Sequence, residues 1–483
     1  MAAIMGVSEV INSMQNESNR NQLSKLLERN VDAFISIIKC SIGTGCLEMP
    51  RAFCNAGWLI GLIGTFVIGF VMVYSINILI IAMYEICKVR DLPLLSYPEC
   101  MRIALEEGPI CLLNFFMCLY HFGVCCVYIL FIADNLKQLG DAYYQHWSYD
   151  LYVIGLTGPL VSLFMIRSLK SLVPFSMLAN VMVITDLPPL SDRKMFNTIR
   201  KYPLFFGTVL FSMESVGVII AIEHEMANPK DYLGFTGILS LASLFTLIMY
   251  AGFGFVGYWR FGCQAYGSIT LNMPPDMLIS RLAKLLLALA IFVTYALQGY
   301  VVVDVLWHYY LEDMFEEEYR PILEYNTRCA IVLSTGSNHH PTAILDRRIK
   351  LIFGLILVAV FSPDISIFLP LVGAFCLSIL SFVLPGLMDL CVSYTKGYRI
   401  TSRKFLRDIF LIIFGVSGCI AGTWEATITI KRDYGSVIVA VHFFTGHYCS
   451  LPVCTGLPIS TKLAEQRNQE KITLALGLIE VEE

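Results

Sequence analysis

Eleven apolar stretches recur between residues 31 and 430, and most are long enough to cross a bilayer. They fall near 31–53, 58–86, 111–135, 150–167, 171–186, 203–223, 233–259, 282–311, 349–362, 365–391 and 406–430. At 1.5 Å of rise per residue, about 20 apolar residues span about 30 Å of hydrocarbon. A chain that is 56% hydrophobic and 15% charged, with a mean hydropathy of +0.67, lies outside the range of soluble globular domains. The pattern predicts an all-α multi-pass membrane protein. Two stretches fall short of a full crossing. The fifth runs into Asp186-Leu-Pro-Pro189, and the ninth is split by the polar segment Ser334 to Arg348.

The charges lie mainly between these stretches and set their direction. Arg20, Lys25, Arg29, Lys88, Arg90, Arg102, Arg167, Lys170 and the cluster from Lys396 to Arg407 share one side. Arg51, Lys137 and Arg260 lie on the other, with Arg193, Lys194, Arg200 and Lys201 dissenting beside them. The excess predicts a cytosolic N-terminus and, after eleven crossings, an outward C-terminus. The first thirty residues have no apolar core, so no cleaved signal peptide is expected. Of the sixteen cysteines, Cys118, Cys125, Cys126, Cys376 and Cys419 lie in apolar runs and are expected to pack as small hydrophobes. The segment 1–30 reads as a cytosolic lead, 31–430 as the membrane domain, and 431–483 as a tail to which no structure is assigned.

Within the first stretch, Ser41-Ile-Gly-Thr-Gly-Cys-Leu-Glu48 places Gly43 and Gly45 where glycine weakens a helix. A break at membrane depth is tolerated only against protein or a polar cavity. Its amides and positive dipole end suit a carboxylate, while its carbonyls and the Thr44 hydroxyl suit an ammonium. Close helix packing on small residues is the competing explanation. A second break, Phe211-Ser-Met-Glu-Ser-Val-Gly217, opens the other half, and paired breaks point to a transporter's binding site. Ser41, Gly43, Thr44, Gly45, Ser212, Ser215 and Gly217 are therefore the candidate substrate contacts.

Glu214 sits at membrane depth, where an ionisable group is costly; it serves either proton coupling and gating or a static helix–helix pair. Lys39 either snorkels or pairs with such a carboxylate. In the eighth stretch Thr294 and Gln298 share a face, and either complete the cavity or bond across helices. His121, Tyr120 and Tyr128 in the third are expected to be satisfied within the bundle. No nucleotide loop, metal cluster or basic domain suggests an enzyme or a nucleic-acid partner, and no cofactor is expected beyond a coupling proton.

Taken together, Ile42-Gly-Thr-Gly45 with Pro50, Asn55-Ala-Gly57, Cys125-Cys-Val-Tyr128 and Ala133-Asp-Asn135 form a specific series. It continues through Leu204-Phe-Phe-Gly-Thr208, Met213-Glu214, Gly217, Gly267-Ser-Ile-Thr-Leu-Asn272, Thr294-Tyr-Ala-Leu-Gln298 and Leu371-Val-Gly-Ala374. In these the chain resembles the amino acid/auxin permease family, in its proton-coupled amino acid transporter branch. The resemblance implies a LeuT-type bundle: two inverted five-helix repeats plus an eleventh helix, with helices one and six broken. It also implies proton-driven movement of small neutral amino acids across a plasma, lysosomal or endosomal membrane. By that analogy the two breaks line the substrate site.

The chain departs from the family pattern at Ser36, where a His is usual, and at Ser215, where a Gly is usual. It departs again at Glu48, in the short fifth stretch, in the insertion Ser334 to Ile349, and in the tail. Three other readings stay open: a passive facilitator, consistent with Ser36; a transporter-shaped nutrient sensor; and an inactive product of a faulty transcript.

Overall fold

The structure, a computed structural model, describes residues 30–38, 41, 44–92, 95–105, 110–141, 188–213, 229–234, 236–273, 278–307, 365–395 and 403–444, with isolated positions between them. Among these every regular element is helical. The principal ones are α1 (30–38), α2 (Gly45–Ala56), α3 (Trp58–Arg90), α4 (Tyr97–Ala104), α5 (Ile110–Asp141) and α6 (Tyr202–Met213). They continue with α7 (Ile238–Phe261), α8 (Leu278–Leu306), α9 (Ile365–Val372), α10 (Leu384–Thr395) and α11 (Arg403–Phe444). Between α9 and α10 the helix widens into two π-turn stretches, Gly373–Leu377 and Ile379–Val383.

Six helices are long and apolar enough to cross a membrane among the described residues. Their outward faces carry the expected signature. On α11, Leu406, Phe410, Ile413, Val416, Ile420 and Trp424 are exposed at helical spacing, a stripe about 27 Å long. On α3, Ile63, Val67, Phe70, Tyr74 and Ile81 do the same. Stripes of that length match the thickness of hydrocarbon. Inward, α5 packs along α8, and α2 packs against both α6 and α7.

Local sequence explains several ends. Gly57, at φ 88°, turns the chain between α2 and α3, and a Cβ there would stand 2.4 Å from the Met195 carbonyl oxygen. The N-terminus of α4 is a capping box: Glu99 accepts from the Ser96 amide at 2.9 Å and from its hydroxyl at 2.8 Å. These Ser96 bonds hold the Glu99 carboxyl below its ordinary value. The motif Gly267 to Asn272 becomes a loop with a short 3-10 turn, Ile269–Asn272, cemented to its neighbours. Gln138 donates to the Leu271 carbonyl at 2.8 Å, Thr270 donates to Asn135 at 3.3 Å, and buried Lys284 donates to the Met273 carbonyl at 3.0 Å.

Residues 1–433 form one compact unit and 434–483 another. The described part of the second, 434–444, is helical as the end of α11. The sequence alone assigns no structure to 431–483; no proline stops the helix before Pro452, and a single Gly435 is tolerated. The fifth and ninth apolar stretches, 171–186 and 349–362, lie outside the described residues.

Candidate functional site

In the first membrane segment α1 covers 30–38, Ser41 is helical, and α2 runs from Gly45 after Thr44, whose backbone keeps right-handed helical angles, φ -60° and ψ -28°. Residues 39, 40, 42 and 43, and with them the expected break, lie outside the described residues. Across from Gly45 lies Ser212 of α6. A Cβ on Gly45 would meet the Ser212 Cα at 2.4 Å, so only glycine lets these two backbones approach so closely. The Ser212 hydroxyl lies 3.0 Å from the Gly45 carbonyl and 2.8 Å from that of Thr208, and can donate to either. From the other side the Tyr250 hydroxyl of α7 reaches the Ser41 carbonyl and, at 2.7 Å, the Ser212 carbonyl. Ser41, Thr44 and Ser212 are 7%, 7% and 4% exposed, and Tyr250 is fully buried. Backbone carbonyls from two separate segments thus converge in a buried place, an arrangement suited to an ammonium group.

The candidate residues divide into three groups. Ser41, Gly45 and Ser212 are brought together, with Thr44 beside them. Gly43, Lys39, Glu214, Ser215 and Gly217 lie outside the described residues, so the gap after Met213 and the Glu214–Lys39 pairing do too. Thr294 and Gln298 make their polar contacts elsewhere. Thr294 turns its hydroxyl back onto the Ala290 carbonyl of its own helix at 2.8 Å. Gln298 meets His121 Nδ1 of α5 at 2.6 Å, a crossing bond that satisfies the histidine within the bundle. Glu48, in the first turn of α2, is 2% exposed.

Two structural features escaped sequence reasoning. Tyr250 is one; its only signal was a phenol in mid-span, whose hydroxyl needs a partner when buried. The other is the disulfide Cys54–Cys263, with Cα atoms 5.1 Å apart, which ties the end of α2 to the turn after α7. Its signal was positional: both cysteines stand within three residues of Arg51 and Arg260, on one expected side of the membrane. Around it, Arg51 donates to the Cys263 carbonyl at 3.0 Å and Asn197 to the Cys54 carbonyl at 2.6 Å. Arg193 donates to the Trp259 and Arg260 carbonyls, each at 2.8 Å, so the dissenting basic loop joins the same end of the bundle. The other named cysteines, Cys118, Cys125, Cys126, Cys376 and Cys419, are reduced and buried or half-buried.

A helical chain with six membrane-length spans among the described residues, and a buried contact between α2, α6 and α7, defines a multi-pass membrane protein. The chain belongs to the transmembrane amino acid transporter family, whose profile matches residues 29–428. It is 28% identical over 429 residues to the "proton-coupled amino acid transporter-like protein pathetic" of Drosophila melanogaster, covering 83% of this chain and 85% of that one. It is 25% identical over 427 residues to "vacuolar amino acid transporter 3" of Saccharomyces cerevisiae, covering 83% of this chain and 56% of the yeast protein. These are transporters, not enzymes.

Proposed function

We propose that this protein moves small neutral amino acids through the membrane by alternating access, coupled to a proton. The observation that supports this reading is the buried contact in which the Ser212 and Tyr250 hydroxyls bond the Gly45, Ser41 and Ser212 carbonyls. In this reading an amino acid's ammonium is held by backbone carbonyls and its carboxylate lies at the positive dipole end of α2. The bundle is of LeuT type, with eleven crossings and helices one and six broken. Glu214 carries the coupling proton or gates with Lys39, while Ser215, Gly217, Gly43, Thr294 and Gln298 belong to the site or its walls.

Orientation follows from the same chemistry. Disulfides persist on the oxidising side of a membrane, so the Cys54–Cys263 end faces outside or into a lumen. The N-terminus then lies in the cytosol, in a plasma, lysosomal or endosomal membrane.

Reconstitution into vesicles of defined internal pH tests the proposal. With radiolabelled alanine at equal concentration on both sides, an imposed gradient, acidic outside, drives accumulation by a symporter. Equilibration without accumulation leaves the passive facilitator that Ser36 suggests. Absence of flux for glycine, alanine and proline contradicts the carrier reading.

A further inference from the structure

Near the start of α11 two buried carboxylates meet one guanidinium. Arg407 donates to Asp408 Oδ1 from Nε and from Nη2, each at 2.7 Å, and its Nη2 also bonds Asp389 Oδ2 of α10. Asp408 is fully buried and Asp389 is 5% exposed. The helices are close here, since a Cβ on Gly386 would stand 3.2 Å from the Asp408 carbonyl oxygen. Asp408 Oδ2 is buried with no hydrogen-bond partner among the described residues, and the Asp389 carboxyl stands within hydrogen-bonding reach of the Asp408 carboxyl. Among the described residues no second cation bonds either acid. From α3 the Tyr74 hydroxyl reaches Arg407, and Glu85 lies about 16 Å beyond Tyr74 along that helix. On α4, Tyr97 donates to the Leu380 carbonyl, Glu99 is bonded to Ser96, and Arg102 is exposed, as are Arg403 and Lys404 of α11. Lys396 and Arg399 lie outside the described residues.

With both acids ionised, the trio carries one uncompensated negative charge away from water, and an acceptor oxygen without a donor beside a second carboxyl. One proton removes both faults: a carboxylic O–H on one aspartate donates to the other, and the trio becomes neutral. A proton needs no cavity, whereas a water or a metal ion does. We propose that Asp389 and Asp408 share one proton and form a proton-binding site between α10 and α11. The proton comes from solvent hydronium, which leaves as water. The site lies at the end of the bundle away from the disulfide. Glu425, which binds Arg200 at 3.0 Å near the Asn197–Cys54 contact, is 17 residues or about 25 Å further along α11. That this end faces the cytosol rests on the orientation proposed above; the shared proton does not.

Infrared spectroscopy of the full chain in lipid vesicles at neutral pH reads the proton directly. Parent protein carrying carbon-13 at the aspartate carboxyls is expected to show a carboxylic C=O band that moves to lower frequency with the label. Asp389→Asn and Asp408→Asn are each expected to lose that band, by one carboxyl per chain, while Asp91→Asn at an exposed helix end keeps it. Absence of a label-sensitive carboxylic band in the parent overturns the shared proton, whether or not a variant folds. A band that persists in either variant overturns it too, because the proton then sits elsewhere. Both variants are expected to fold and to unfold within a few degrees of the parent, since a carboxamide in place of the protonated acid leaves the trio neutral. Failure of both to fold overturns the proposal, because the site then needs two ionised carboxylates. No flux enters this measurement, so a failure of the carrier reading shows only in uptake and leaves the band unchanged.

Discussion

Ser212 of α6 and Gly45 of α2 meet with backbone against backbone, the serine hydroxyl 3.0 Å from the glycine carbonyl, although 167 residues separate them in the chain. This contact turns two weak sequence signals into one site. Neither residue is unusual alone; their meeting places a hydroxyl and several carbonyls in a buried seam where water cannot compete.

Ser212→Ala removes the hydroxyl but not the close approach. Its loss leaves the Gly45 and Thr208 carbonyls without that donor and is expected to cost about 1 kcal/mol of stability. Thermal unfolding in detergent checks this. Alanine KM, measured in vesicles, is expected to rise severalfold, because the hydroxyl borders the proposed ammonium position.

The Cys54–Cys263 link predicts a redox-sensitive stability. Removing a native disulfide typically costs about 2–5 kcal/mol. Cys54→Ser, Cys263→Ser and the double variant are expected to unfold at the same lowered temperature, several degrees below the parent. A reducing agent is expected to lower the parent to that value and leave the variants unmoved. Differential scanning fluorimetry with and without reductant is the measurement.

The α4 capping box predicts an acid-sensitive helix. The Ser96 bonds lower the Glu99 pKa, so this stabilisation is present above the unfolded carboxyl value of about 4.3 and fades as pH falls through the lower folded value. Ser96→Ala is expected to cost about 1 kcal/mol near neutrality. The difference between parent and variant should shrink below about pH 4. Unfolding midpoints across pH 3 to 7 report both effects.

Gln298 and His121 join α8 to α5 at 2.6 Å. Gln298→Leu strands the histidine nitrogen at that helix–helix contact and is expected to cost about 1–3 kcal/mol. Because Gln298 belongs to the wall of the proposed site, alanine KM is also expected to rise severalfold in vesicles. A KM within twofold of the parent's removes Gln298 from that site and leaves it a bond between helices.

What the sequence made legible follows physical lines. Spans such as Trp58–Arg90 and Ile110–Asp141 were readable because a helix in hydrocarbon must be apolar along its whole length. Long-range partners were less readable. For Thr294 and Gln298 shared facing left a cavity wall and a bond across helices equally open; Thr294 bonds the Ala290 carbonyl of its own helix, and Gln298 bonds His121 on the next. Tyr250 and the Cys54–Cys263 bond depend on α7 lying beside α2, a neighbour relation that hydropathy does not encode. Beyond residue 430 apolar residues without a clear period leave helix and coil undistinguished, so the sequence assigns no structure there.

The seam itself is tested most directly at Gly45. A valine there places its Cβ 2.4 Å from the Ser212 Cα and must push α2 and α6 apart. Radiolabelled alanine uptake should be measured in vesicles holding equal amounts of disulfide-bonded parent and Gly45→Val protein. The account predicts saturable, pH-gradient-driven uptake by the parent and at most background uptake by the variant. Equal uptake with equal KM contradicts it, because the meeting of Gly45 and Ser212 would then have no part in carrying the substrate.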